Sequence, residues 1–228
     1  MNKIGTYKES SLHRSLKFRY SDSGQTEIGV DSFVCDGKSK RGELIEVQTG
    51  SFGPIKEKII SLTKKKKKIR LIYPIIKNKY IELYDTEDNL LRKRKSPGKG
   101  SIWDLFNALL YAPDLCLTPY LKLELVILDI IEKRKNDGKG GWRRKGVTIE
   151  DKIPVAWYES IILSKPRDYN LFIPFGMNEN FTVNDLGEKA KITKVLARKC
   201  VYVLHKNGLI ERIGKQGNSH VYRKIIGR

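Results

Sequence analysis

The spacing of hydrophobic positions changes several times along the chain, and each change predicts a different element. Leu12, Leu16 and Tyr20 recur at helical spacing and predict a helix over Thr6 to Tyr20, with Glu9 and His13 four apart on neighbouring faces. Ser21-Asp22-Ser23-Gly24 stops it, and the apolar run from Thr26 to Val34 predicts a strand that carries Asp31. A turn at Asp36 to Gly42 leads to a second strand, Glu43 to Thr49. There, alternation sends Ile45 and Val47 to one face and Glu46 and Gln48 to the other. Pro54 suits the first turn of a helix whose apolar stripe is Ile55, Ile59 and Leu62. The lysine run Lys64–Lys68 separates that helix from two strands, Ile69 to Ile76 and Lys79 to Tyr84.

Residues 92–100, RKRKSPGKG, read as a basic linker. Beyond it the pattern predicts helices over Ile102 to Tyr111 and Leu121 to Lys135. A turn follows at Asn136 to Gly141, then strands or a hairpin at Trp142 to Val147 and Val155 to Ser160. Trp142 reads as the cap of a small core, with Arg143, Arg144 and Lys145 facing water; contact with a phosphate is the alternative. The last segment is more distinctive. Thr182 caps a short helix to Lys189, and a turn leads to a longer helix, Thr193 to Lys206, stopped by Asn207-Gly208. Strands at Leu209 to Ile213 and Ser219 to Ile225 flank a turn at Gly214 to Asn218. Helix, turn, helix and basic hairpin together resemble a winged helix-turn-helix.

Charge sharpens this division. The 228 residues carry a net charge of +19, which calls for an anionic partner, nucleic acid first. The excess is segregated: residues 1–100 hold 23 Lys and Arg against 12 Asp and Glu, residues 101–179 hold 11 against 11, and residues 180–228 hold 11 against 3. Cys35, Cys116 and Cys200 are scattered, with no zinc spacing, and predict a reducing, cytoplasmic setting. The sequence MNKIGTYKESS lacks an apolar signal region, and the longest apolar stretch, Leu123 to Ile131, is broken by Glu124 and Asp129, which argues against a membrane span. No amphipathic helix accompanies the lysine run, so a membrane surface is not the expected partner.

The candidate chemistry lies in the first basic segment. A carboxylate cluster on an apolar sheet is costly unless a cation compensates it. Glu9 on the first helix, Asp31 on the next strand, and Glu46-x-Gln48 on the one after resemble the PD-(D/E)XK nuclease superfamily, in its variant with Gln in place of Lys. The resemblance spans roughly residues 6–85. It implies an α/β fold of the restriction-endonuclease kind, a central mixed sheet flanked by helices, with Mg²⁺ or Mn²⁺ at Asp31, Glu46 and Glu9. Gln48 would hold the attacking water or a phosphate oxygen, and Lys56 would restore the missing cation.

The expected organisation is therefore a nuclease-like domain over 1–91, the linker at 92–100, an α/β spacer over 101–179 and a winged helix over 180–228. In the last unit, Lys194 and Arg198 at the start of the second helix would meet bases, with Lys199 alongside. The wing, with Lys215, Gln216, Asn218, His220 and Arg223, would lie on a neighbouring groove or phosphate row. The expected activity is metal-dependent cleavage of double-stranded DNA, in a restriction, mobile-element or repair role. Cutting both strands would favour a homodimer. The alternative is a non-catalytic DNA-binding regulator on an inactivated nuclease fold. An RNA-directed nuclease ranks third, because no ordered aromatic platform is evident.

Overall fold

A computed structural model describes residues 9–225 except Phe175 and Asn178. It is a mixed α/β structure built on one seven-stranded sheet with helices on both faces, followed by a three-stranded sheet carrying two helices. Helix α1 (Ser11–Tyr20) is capped by Ser10. The strands β1 (Thr26–Val30), β2 (Phe33–Lys38) and β3 (Leu44–Val47) follow as an antiparallel meander. Helix α2 (Lys56–Lys64) crosses over to β4 (Ile69–Tyr84), which pairs parallel to β3. The expected helix is therefore shorter: Glu9 lies just before its cap, and Thr6 to Lys8 lie outside the described residues.

The middle of the chain departs most from its sequence pattern. Leu121–Gly140 is a 20-residue strand, β6, where the apolar run predicted a helix over Leu121 to Lys135. It lies between β4, to which it is parallel, and the antiparallel β7 (Gly146–Leu163). Leu121, Leu123 and Leu125 pack into the core beneath α2, whereas Val126, Leu128 and Ile130 pack into the core beneath α1. A strand buried on both faces is a continuous apolar run, which periodicity cannot tell from a helix. The two strands predicted at 69–76 and 79–84 are one, bent by a bulge between Ile76 and Asn78.

The 92–100 segment is not a free linker. Its first part belongs to β5 (Leu90–Lys95), which pairs with β4, and its second part is stitched to β4 by Ser96 N–H to Lys79 O (2.7 Å) and Gly100 N–H to Ile76 O (2.9 Å). Strands from both sides of the expected boundary share one sheet. The unit over 101–179 is thus continuous with what precedes it. Trp142 also differs from its expected place: it is 84% exposed and caps no core.

The closing segment matches its predicted elements, except that the first hairpin strand runs on through Gly214 to Gln216, where the pattern predicts a turn. Strand β8 (Asn180–Thr182), α4 (Val183–Ala190), α5 (Lys194–Lys206), β9 (Ile210–Gln216) and β10 (Ser219–Lys224) form the second sheet in the order β8-β10-β9. Thr182 caps α4 reciprocally with Asp185, and Gly208 takes φ +66° just beyond α5. Helix α3 (Leu105–Leu109) packs on α5, and Phe106, Leu109, Cys200, Val203 and Leu204 belong to one core with the large sheet. Among the described residues no helix is long and apolar enough to cross a membrane.

Candidate functional site

The β2–β3 ladder is short, and its early end creates the site. Gly37 pairs with Ile45 and Lys38 with Leu44; one step on, the Asp36 carboxylate takes the place of a backbone acceptor and receives the Val47 N–H (2.7 Å). The other Asp36 oxygen meets Lys17 Nζ of α1 at 3.0 Å. Lys17 also reaches Glu9 (3.0 Å), and His13 joins Glu9 through Nδ1 and the Val47 carbonyl through Nε2 (2.9 Å). Burial alone would raise the Glu9 carboxyl, but hydrogen bonds from His13 and Lys17 hold it below its ordinary value.

Glu46 occupies the neighbouring position on β3 and is buried. Alternation sends Ile45 and Val47 into the α1 core, and Leu44 into the α2 core. Lys58 of α2 donates to Glu46 Oε2 (2.5 Å) and to the Val34 carbonyl (2.6 Å). Three residues after Ile55 and four before Leu62, Lys58 borders the buried stripe of its helix. Burial raises the Glu46 carboxyl above its ordinary value; the Asp36 charge adds to this, and Lys58 opposes it. Gln48 spends its side-chain amide on the Ser51 carbonyl (2.9 Å).

Two sequence-predicted residues are displaced from this cluster. Asp31 sits in the tight turn between β1 and β2 at φ +54°, a conformation that Asp tolerates and hairpin turns require. There its carboxylate takes Lys65 (3.0 Å), not a place beside Glu46. Lys56 faces away and pairs with Asp114 (2.6 Å). Asp36 and Lys58 stand where those two were expected. The signal for Asp36 was available. A hairpin turning at Ser39 to Gly42, continued in register, brings residue 36 level with Glu46 and leaves Asp31 beyond the end of β3.

No group of three or more His, Cys, Asp or Glu side chains is arranged as a metal site among the described residues. Asp36 and Glu46 are carboxylates on adjacent strands, each held by a lysine. Carboxylate oxygens are the ligand type of hard cations such as Mg²⁺, which binds through one or two carboxylates and keeps its waters. Lys17 and Lys58 compensate the two charges.

Beside the strand end lies a cleft of about 460 Å³, in the gap along β4 between the end of β3 and the end of β5. Thr49 lines it on the side of the acid pair, Asn107 on the side of α3, and Lys79, Lys99 and Lys152 are cations on its wall. Asn107 in turn accepts from Lys199 of α5 (2.7 Å), so Lys199 is spent on holding the second module. Lys194 and Arg198 are exposed one helical turn apart, and neither makes an ion pair with another described residue. Lys215, Gln216 and Asn218 are exposed at the hairpin, and His220 is half-buried with its ring edge-on to Tyr222 (6.5 Å). Arg223 is held across the sheet by Glu211 through Nε (3.0 Å) and Nη2 (2.7 Å).

Residues 10–164 match the model of a family described as Domain of unknown function (DUF8091), and the chain belongs to that family. The matched span runs from α1 to the end of β7, which makes the seven-stranded sheet the family's unit and places residues 92–100 inside it. An uncharacterized protein of Treponema pallidum (strain Nichols) is 27% identical over 222 residues, which cover 97% of this chain and 87% of that one. No solved structure matches the chain significantly.

Proposed function

We propose that the chain is a metal-dependent nuclease hydrolysing phosphodiester bonds in double-stranded DNA, with the site of the PD-(D/E)XK superfamily and a C-terminal winged helix that holds it on the substrate. The observation that carries this reading is the Asp36–Glu46 pair: carboxylates from consecutive strands, each against a lysine from a different flanking helix. The order helix, three-strand meander, crossover helix, parallel strand supports it, because that order brings β2, β3 and both helices to one sheet end. The net charge of +19 supports a polyanionic substrate.

Mg²⁺ bound at this pair would stabilise charge on the phosphate and lower the pKa of a water. The chain's own residues have separate tasks. The Val47 N–H and Lys17 fix the orientation of Asp36. Lys58 supplies the positive charge that Gln48 cannot, and its bond to the Val34 carbonyl fixes the ammonium beside Glu46. Glu9 and His13 tie α1 to the strand end. Lys194 and Arg198, which make no ion pair with a described residue, are the groups available to a major groove. The three buried free cysteines accord with a reducing compartment.

A second reading, a DNA-binding protein on an inactive nuclease fold, draws on Gln48, whose amide is engaged by Ser51 rather than free for a substrate. Supercoiled plasmid incubated with the full chain in Mg²⁺ or Mn²⁺ decides between them. The first reading predicts nicked or linear product that a chelator prevents. The second predicts retarded but intact plasmid.

A further inference from the structure

The β6–β7 hairpin outruns its neighbours. The β4–β6 pairing ends at Tyr84 and Lys135, after which only β6 and β7 continue, to the Gly140–Gly146 pair. The two strands come so close there that a Cβ on Gly140 would lie 2.0 Å from the Val147 carbonyl oxygen, so only glycine fits. The turn beyond, Gly141 to Lys145, is exposed at every position. It presents Trp142, 84% exposed, with Arg143, Arg144 and Lys145, and Lys139 stands just below. None of these four cations makes an ion pair with a described residue, whereas Asp137, the acid of this tip, is occupied by the Lys139 N–H and the Thr148 hydroxyl. The Arg143 guanidinium lies 5.5 Å from the Trp142 ring centre, and most of the ring is left to solvent.

We infer that this tip is a second DNA-binding element, in which Trp142 stacks on an unpaired base and Arg143, Arg144 and Lys145 take the flanking phosphates; the inference rests on the DNA reading above. Among the described residues none covers this indole, which stands 84% exposed on a protruding hairpin. The cations around it select a polyanion, and the aromatic face selects a base over a bare phosphate row. A base inside a duplex offers its face only when unstacked, so the fitting substrate is a junction between duplex and single strand. The cleft beside Thr49 and the tip lie on one sheet, which would let a single substrate meet both.

The test is anisotropy titration of the full chain, in chelator so that no strand is cut, against a duplex with a single-stranded overhang and against the blunt duplex. The wild type binds the overhang substrate more tightly. Trp142→Ala removes that preference, a loss of roughly 5- to 100-fold on the overhang, and leaves blunt-duplex affinity unchanged. Trp142→Phe keeps most of it. Replacing Arg143, Arg144 and Lys145 together by Ala lowers the salt slope on the overhang substrate by about 2. Equal affinity of wild type and Trp142→Ala on both substrates overturns the tip assignment while leaving the DNA reading intact, and failure to bind either substrate overturns both. Tighter binding of an RNA overhang of the same sequence would reassign the tip and overturn its role on DNA.

Discussion

The ammonium of Lys58 lies 2.5 Å from Oε2 of Glu46, joining the crossover helix to the strand that it follows in the chain. Both side chains are largely withdrawn from water, at 15% and 7% exposure. Removing one member of such a pair leaves the other charge buried. Lys58→Met should cost about 3 kcal/mol in urea unfolding at neutral pH. Lys56→Met, which breaks the half-exposed pair with Asp114, should cost under about 1 kcal/mol. Equal costs for the two would contradict the placement of α2.

Glu46 also gives the fold a pH dependence of definite sign. Its carboxyl is raised above the ordinary 4.5, chiefly by burial. A raised folded-state value means that the folded form holds its proton more firmly than the unfolded form. Its contribution is therefore favourable below the ordinary value and is lost as pH rises through the folded one. Glu46→Gln removes that loss, so its stability relative to wild type should improve from about pH 4 toward neutrality. Unfolding curves across that range check this, and a pH-independent difference would be the contrary result.

The shared sheet makes a prediction about fragments. Strand β4 is bordered by β6 along nearly its whole length, and the α5 residues Cys200, Val203 and Leu204 share a core with Phe106 and Leu109. A fragment of residues 1–100 should fail to fold cooperatively, and the full chain should melt in one transition by both circular dichroism and tryptophan fluorescence. A stably folded 1–100 fragment would restore the linker that its composition suggested.

Partnering separates the basic residues of the closing module. Lys194→Ala and Arg198→Ala should each weaken DNA binding by roughly 5-fold or more, with a salt slope lower by about 1 for each phosphate that the variant no longer neutralises. Lys199→Ala and Arg223→Ala, whose side chains are held by Asn107 and Glu211, should change binding little. Filter binding at two salt concentrations distinguishes the two groups.

Legibility in the sequence followed the locality of the forces. Thr182, Thr193, Asn207 and Gly208 act within a few residues of themselves, and the elements they bound lie where the pattern puts them. Strand β6 reads as a helix in sequence because its burial comes from β4 and β7, partners far away in the chain, and burial on both faces erases period two. The opposite facing of Leu44 from Ile45 and Val47 on β3 was legible because alternation is local. Asp31 lies in the more apolar run, but its positive φ belongs to a turn, and the hairpin register, a pairwise property that the run does not reveal, brings Asp36 to the Val47 N–H instead. Lys56 meets Asp114 and Lys58 meets Glu46 because packing, not sequence, settles which side of a helix faces the sheet.

The Asp36–Glu46 pair as a phosphodiester-cleaving site is the central claim, and plasmid cleavage by four proteins tests it most directly. Wild type, Asp36→Asn, Glu46→Gln and Asp31→Asn are compared in Mg²⁺ and Mn²⁺, with circular dichroism to establish that each is folded. The account predicts cleavage by wild type and Asp31→Asn, and a loss of about 100-fold or more in Asp36→Asn and Glu46→Gln. Undiminished cleavage by folded Asp36→Asn and Glu46→Gln, or loss in Asp31→Asn alone, would contradict it.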